Sequence, residues 1–187
     1  MDRISQIINK PTTPDDIYRI SGKKCNIFTY PELARFRKID QLFKRGNSDV
    51  EKLSKVDLPF DNKCCVILYM TGPNYGHWTA LCKNDHGINF LDSYGDIIDD
   101  QLLKIDKKIK GQDKKLLLKL LIKCKYPIFY NDIQLQKLNT NIATCGRYCA
   151  LYLKYDYMNI DDFTKSLKTK SKQYGLTPDQ IVCILSL

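Results

Sequence analysis

The sequence predicts an α+β domain, in which helices flank a central group of strands. Its hydrophobic pattern begins with helical segments, continues with β-prone runs between residues 64 and 91, and ends with apolar helices after residue 145. Strands that are grouped, and do not alternate with helices, favour α+β over repeated βαβ units. With 187 residues, 43% hydrophobic and 27% charged, the chain suits one globular domain, and we expect a single domain over residues 1–187.

Short helices are predicted in the first third of the chain. Thr13 is a candidate N-cap, and the helix that follows it should stop at Gly22. Residues 25–29 suit a short extended piece, and residues 31–44 favour one or two short helices. The polar residues 47–62 are predicted to form a loop.

A buried strand and a β-hairpin are predicted next. Residues 64–70 form a continuous apolar run, as expected of a strand that is buried on both faces. A loop at residues 72–76 should lead into strands at 77–82 and 88–91, which are separated by a polar turn.

The second half of the chain is predicted to be mainly helical. Helices are expected at 97–110 and 114–123, followed by short strands at 126–130 and 133–135. Residues 145–157 are apolar almost all round, which predicts a helix through the core.

Two further helices are expected near the end of the chain. Residues 161–170 suit a surface helix, and the capping box that begins at Thr177 predicts another.

The net charge of +9 indicates a positive field that attracts polyanions. Many of the lysines lie between Lys104 and Lys125, where they alternate with Leu and Ile. Two interpretations stay open: the solvated face of amphipathic helices, or a surface that binds DNA. No apolar run approaches the roughly 18 residues of a membrane span, so no membrane partner is expected.

Eight cysteines raise the question of zinc, but their spacing argues against a metal site. No C-x-x-C pair is present, and most cysteines lie inside apolar runs, where a thiol packs as a small hydrophobe. The first residues lack the order of a signal peptide, so we expect a chain that is not secreted and a reducing compartment. All eight cysteines are therefore expected to be thiols.

Cys145 is the candidate nucleophile. It lies after a polar loop and at the start of the predicted core helix, where a helix dipole favours a thiolate. Gly146 would allow a substrate backbone to come close, and the amide of Cys145 could face an oxyanion. Cys149, one turn later, is interpreted as core packing.

A thiolate nucleophile requires a general base, and the sequence offers two histidines. His86 lies in a polar turn, where an exposed side chain is expected in any case. His77 begins a strand after a glycine-rich loop, beside the single tryptophan, and is the candidate base. Asp92 ends the partner strand of the same hairpin, so it should lie near His77 and orient the ring, although a turn-forming role would also explain it.

Four segments together resemble the cysteine proteases of the adenovirus maturation protease and ubiquitin-like-protein protease type. The order His, Asp, Gln, Cys is that family's order, whereas papain itself has the cysteine first. The resemblance covers about residues 64–157, the expected catalytic core. It lies in GHWTAL at 76–81, FLDSYG at 90–95, IQLQ at 133–136 and TCGRYC at 144–149.

This resemblance implies a papain-like cysteine protease fold, with a central helix packed on a mixed sheet. It also implies that Gln136 donates to the oxyanion hole. The loop between Gln136 and Cys145 is about two residues longer than usual, so Gln134 and Asn139 stay open as substitutes. Trp78 would wall a narrow cleft for small residues such as glycine, or would simply be a core aromatic.

The resemblance further implies an endopeptidase, closest in form to the maturation proteases of Maverick or Polinton elements and virophages. Its expected substrates are viral capsid or other virion precursors, in the virion and the infected cell, either in a cytoplasmic viral factory or in the nucleus. No cofactor is expected, although DNA or a short peptide could act as an activator, and a monomer is expected. The alternatives are an isopeptidase for ubiquitin-like modifiers and, outside enzymes, a basic nucleic-acid-binding protein.

Overall fold

The computed structural model describes residues 3–73, 75–105, 109–139 and 141–187. Within these residues, one mixed sheet has five strands, in the spatial order β1-β2-β3-β4-β5. The two outer pairs are parallel and the two inner pairs are antiparallel. The strands are β1 (Lys24–Thr29), β2 (Phe60–Gly72), β3 (Tyr75–Asn84), β4 (Gly87–Asp92) and β5 (Ile128–Tyr130).

Helices lie before, between and after these strands, which confirms the α+β prediction. The α-helices are α1 (Arg3–Ile8), α2 (Pro14–Ser21), α3 (Asp49–Leu53), α4 (Leu116–Ile122), α5 (Cys145–Lys154), α6 (Ile160–Tyr174) and α7 (Pro178–Leu185). Short 3₁₀ helices occupy Tyr30–Arg35, Ile39–Phe43 and Asp100–Leu103.

The sheet is covered on both faces. Trp78, Ala80 and Cys82 of β3 pack in a core with α5, whereas Leu81 packs in a second core with α4 and the 3₁₀ helices. This division follows from the alternation of side chains along a strand. Helix α5 lies deep in the first core: its residues from Tyr148 to Leu153 are all buried, as their apolar sequence predicts.

The strand register leaves one end of β3 uncovered by β4. The β3–β4 ladder ends where Thr79 pairs with Asp92, but the β2–β3 ladder continues to the pairing of Gly72 with Tyr75. Residues 75–78 of β3 therefore extend past the end of β4. Because His77 lies two residues beyond Thr79, it is the diagonal neighbour of Asp92 across the strands.

Several predicted boundaries are confirmed by the structure. Thr13 caps α2, which ends at Gly22 in the left-handed conformation that glycine adopts without strain. Thr177 caps α7 through the predicted capping box. The core helix from residue 145 and the hairpin of β3 and β4 also lie where the sequence predicts them.

Other predicted elements are wrong. The predicted loop at 47–62 contains α3 and the start of β2. In the predicted helix at 97–110, the described residues form only the 3₁₀ helix at Asp100–Leu103, and residues 106–108 lie outside the described part. Residues 133–135 form no strand, and most of the predicted loop at 72–76 belongs to strands, with Asn74 outside the described residues.

The prediction of eight free thiols is wrong for Cys64 and Cys82. These residues face each other on β2 and β3, with Cα atoms 4.2 Å apart, and their sulfurs form a disulfide. Such directly opposed positions on antiparallel strands bring two Cβ atoms within reach of a bridge. Cys145 is one of the six cysteines that remain free. Among the helices described, none has the length and apolar character that crossing a bilayer requires.

Candidate active site

Cys145 is the first residue of α5 and is partly exposed. Burial by itself raises the pKa of this thiol. The adjoining His77 side chain, the charge of that ring and the backbone N–H groups of Trp78 and Gly146 outweigh burial, so the pKa lies below the ordinary 9.0. The thiolate is thus favoured by a neighbouring cation and by backbone donors at a helix start.

His77 lies between Cys145 and Asp92. Its Nε2 atom is 2.9 Å from Oδ1 of Asp92, and the ring is 5% exposed. Burial lowers the pKa of His77, but the charge and hydrogen bond of Asp92 and the neighbouring Cys145 raise it to about 10. The Nδ1 atom has no hydrogen-bond partner of normal geometry among the described residues, although the Cys145 thiol is close enough to shift the pKa of the ring. Contacts of this kind are often loose before substrate binds.

Asp92 is fully buried and is held on several sides. Its Oδ1 atom also accepts from the backbone N–H of Tyr94 at 2.8 Å, and its Oδ2 atom accepts from Nε2 of Gln101 at 3.2 Å. The amide of Asn131 bonds both the N–H and the C=O of Asp92, at 2.9 and 2.6 Å. The carboxylate is therefore fixed in the direction of His77.

Tyr94 completes the wall beside the imidazole. Its ring stacks on that of His77, with centroids 4.3 Å apart and planes 15° apart. A stacked neighbour limits rotation of the His77 ring while leaving its nitrogens free to bond in the ring plane. Tyr94 therefore fixes the orientation that Asp92 selects.

The turn after Asp92 also holds the segment that carries Gln136. The carbonyl of Ser93 accepts from the backbone N–H groups of Leu135 and Gln136, at 2.9 and 2.8 Å, and the hydroxyl of Ser93 donates to Oε1 of Gln136 at 2.8 Å. Gly95 adopts a φ of 75°, and a Cβ added there would lie 2.8 Å from the backbone of Gln134. A side chain at this position would push the segment away from the site.

Gln136 is 1% exposed and its side-chain amide lies beside Tyr94. Its Nε2 atom donates to the carbonyl of Ile142 at 3.2 Å and has a longer contact, 3.4 Å, with the hydroxyl of Tyr94. The two alternative residues are placed differently. Gln134 is exposed and donates to the carbonyl of Gln136, and Asn139 is exposed in the loop, where it accepts from the backbone of Asn141.

Gly146 is closely packed, and its predicted substrate-binding role stays a prediction. A Cβ at this position would lie 2.6 Å from Cβ of Thr12 and 3.0 Å from Cδ1 of Trp78, so the missing side chain makes room for protein packing. Trp78 is 9% exposed and donates from Nε1 to the carbonyl of Thr12 at 3.2 Å. Trp78 therefore packs chiefly in the core, and a role as the wall of a narrow cleft stays a prediction.

One group of potential metal ligands lies away from this site. Asp61, Cys64 and Asp156 come close together, but Lys23 bonds both carboxylates and Cys64 is in the disulfide. A positive side chain between the carboxylates supplies the charge that a metal ion would supply. We interpret the group as a salt-bridge cluster.

Comparison with known proteins relates this chain to a virophage protein. The chain is 31% identical over 176 residues to the "Uncharacterized protein V9" of Sputnik virophage, an alignment that covers 92% of this chain and 91% of that protein. The chain belongs to this virophage protein family. No family model matches the chain. Since the name of the V9 relative assigns no activity, the comparison supports a virophage-related origin, and the chemistry rests on the geometry of the site.

Sequence reasoning did not find three residues that shape the site. Asn131 directly follows a β-prone run, as Asp92 does, and that shared position was a usable signal. Gln101 lay inside a predicted helix and gave no signal. Thr12 lies 133 positions before Cys145, and only the folded chain brings its segment to the start of α5.

Proposed function

We propose that this member of the V9 family is a cysteine endopeptidase with the papain-like fold of the adenovirus-type proteases. The observation that carries the proposal is the set of a partly exposed Cys145 with a buried His77 and a buried Asp92, in which each neighbour favours the charged form of the next. A thiol with a lowered pKa beside a histidine with a raised pKa is the resting ion pair of a thiol protease.

The chemistry follows from the positions of these groups. The Cys145 thiolate attacks a peptide carbonyl, and the carbonyl π electrons move to oxygen. The His77 ring gives its proton to the leaving amine as the C–N bond breaks, leaving a thioester on Cys145. Neutral His77 then removes a proton from water, the hydroxide attacks the thioester, and the thiolate and imidazolium return. Asp92 stabilises the imidazolium without taking its proton.

Two donors are available for the oxyanion. The backbone N–H of Cys145 is the first of α5 and has no partner within the helix, as is general for helix starts. Gln136 can supply the second, because one hydrogen of its Nε2 atom has only the long contact with Tyr94. Donors of this kind typically contribute about 100- to 1,000-fold in rate each.

The virophage relative supports a viral substrate for this activity. We therefore propose viral capsid or virion precursors as substrates, cleaved beside small residues such as glycine. An isopeptidase acting on ubiquitin-like modifiers uses the same chemistry and would differ only in substrate.

A basic groove supports a DNA partner for the same protein. Exposed lysines of α4 and the residues after it face two cationic residues near the second 3₁₀ helix, with Asp40 as the acidic residue on the same wall. Such a row of cations suits a phosphate backbone. The cationic residues that line the groove are Arg37, Lys38, Lys119, Lys123 and Lys125.

The direct test is cleavage of a proteome-derived peptide library, with new termini identified by mass spectrometry. The wild type should cleave and Cys145→Ala should not, whereas Cys183→Ala, a matched loss of a buried thiol, should cleave as the wild type does. Ubiquitin-like fusion proteins as parallel substrates would identify an isopeptidase. Reactions with and without DNA at low salt test the basic groove. DNA binding that survives Cys145→Ala, together with no cleavage by the wild type, would favour a non-catalytic binding protein.

A further inference from the structure

Asp179 is a buried carboxylate outside the set of residues described so far. It lies in the first turn of α7, is 2% exposed, and accepts three hydrogen bonds. Its Oδ1 atom accepts from the hydroxyls of Thr144 and Tyr148, at 2.5 and 3.2 Å, and its Oδ2 atom accepts from the backbone N–H of Lys137 at 3.0 Å. None of these three donors is a cation.

Two of the donors mark the two ends of one loop. Lys137 directly follows Gln136, and Thr144 directly precedes Cys145. A single carboxylate therefore bonds both ends of the segment that separates the two oxyanion donors. Holding the two ends of a loop in fixed positions costs entropy, and two bonds to one carboxylate oppose that cost.

Capping of α7 does not explain Asp179. The N-terminus of α7 is already capped by Thr177, whose reciprocal partner is Gln180. The described bonds of Asp179 go to the loop and to α5, and none goes to an N–H group of α7. A buried carboxylate without a cation is costly, and hydrophobic packing could fill the same volume at lower cost. The arrangement therefore indicates that the hydrogen bonds of Asp179 have a role beyond packing.

We propose that Asp179 is a positioning residue, which fixes the distance between the amide of Gln136 and the backbone N–H of Cys145 so that both reach one oxyanion. This inference rests on the proposed protease function. Asp179 touches neither substrate nor the reacting atoms, and it acts through the loop that it holds at both ends. Loss of Asp179 should therefore weaken stabilisation of the oxyanion without changing the Cys145–His77 ion pair.

Two variants remove the hydrogen bonds by which Asp179 holds the ends of the loop, which we call the tie. Asp179→Ala removes both accepting oxygens, so neither Lys137 nor Thr144 keeps its bond to this position. Thr144→Val removes only the hydroxyl. Both should lower kcat about 10- to 100-fold with little change in KM, because imperfect placement costs less than loss of an oxyanion donor. Tyr148→Phe is the matched control, since it removes the third bond to Asp179 without touching the loop, and it should leave kcat within about twofold of the wild type.

Alkylation of Cys145 by iodoacetamide separates this role from general damage. It needs the thiolate but no oxyanion hole, so its rate should stay within about twofold of the wild type in both loop variants. Wild-type kcat in Asp179→Ala, or an equal loss of alkylation and kcat, would overturn the proposal. So would a loss of kcat in Tyr148→Phe as large as that in the loop variants.

Hydrogen exchange tests the tie without any substrate. The backbone N–H of Lys137 should exchange at least about tenfold faster in Asp179→Ala than in the wild type, while amides in the middle of α5 should not change. Unchanged exchange at Lys137 would refute the tie even if no peptide is ever cleaved. Faster exchange together with an inactive wild type would count against the protease function alone.

Discussion

Replacing Asp92 with asparagine should uncouple the proposed catalytic pair. The amide has almost the size of the carboxylate but lacks its charge. That charge is the main influence that raises the pKa of His77 against the lowering effect of burial. At 1.36 kcal/mol per pH unit, the difference between 6.5 and about 10 corresponds to about 5 kcal/mol of preference for the charged ring, shared between Asp92 and Cys145. Without Asp92, burial should move the pKa of His77 down towards 6.5 or below.

The pKa of Cys145 should then rise towards 9.0, since it is lowered chiefly by His77. A thiol with a pKa of 9.0 is about 1% ionised at pH 7, so alkylation by iodoacetamide should slow by up to about 100-fold. Peptide hydrolysis should fall further, by about 10,000-fold, because the ring also loses its orienting partner.

The assay is the alkylation rate of Cys145 as a function of pH, followed by mass spectrometry. In the wild type the ion pair forms as pH rises through the lowered pKa of Cys145, and it is lost as pH rises through about 10, the pKa of His77. The acidic midpoint should lie below pH 9.0, and Asp92→Asn should move it upwards. Alkylation profiles of Asp92→Asn and wild type that superimpose would refute the reasoning.

Asp99→Asn provides a matched control for this prediction. Asp99 is also a buried carboxylate, 1% exposed, and accepts from the hydroxyl of Tyr69 and the backbone N–H of Leu118, at 2.8 and 2.9 Å. Its φ of 68° is one that asparagine adopts with little strain. The control should lose stability as a buried Asp→Asn change does, but it should leave the alkylation profile of Cys145 unchanged.

Three further predictions concern the oxyanion, the packing at the start of α5 and the disulfide. Gln136→Ala should lower kcat about 100- to 1,000-fold while the alkylation rate of Cys145 stays unchanged, and equal kcat in steady-state kinetics would contradict the role of its amide. Gly146→Ala should destabilise the fold by about 1–3 kcal/mol in urea unfolding, because the new methyl group meets Thr12 at 2.6 Å, and wild-type stability would contradict this close packing. Cys82→Ser should lose about 2–4 kcal/mol under oxidising conditions, since the bridge closes a loop with a sequence separation of 18, and the difference from wild type should shrink under dithiothreitol.

The parts of the fold that the sequence predicted are those controlled by local signals. Thr13 and Gly22 mark their helix by capping and by left-handed backbone, and both effects act within a few residues. The proximity of His77 and Asp92 was also accessible, because a short hairpin turn sets the register of its two strands.

Long-range packing decided the elements that were predicted wrongly. Residues 97–110 have helical periodicity, but their described part is held as turns and a short 3₁₀ helix, with Asp99 bonded to Tyr69 of β2. The Cys64–Cys82 bridge depends on the pairing of β2 with β3, whereas the argument for free thiols used only the expected compartment. The close packing of Gly146 against Thr12 could not be predicted either, because Thr12 is distant in sequence.

The contacts of Thr12 and Asp179 extend the support of the candidate site beyond the segment that carries its motifs. The motifs lie within about residues 64–157, which suggests an excisable core, but the start of α5 rests on Thr12 before that span and on Asp179 after it. A fragment trimmed to the motifs would keep Cys145, His77 and Asp92 but lose the residues that support the start of α5. In this chain, the sequence that is diagnostic of the candidate site is therefore shorter than the sequence that builds it.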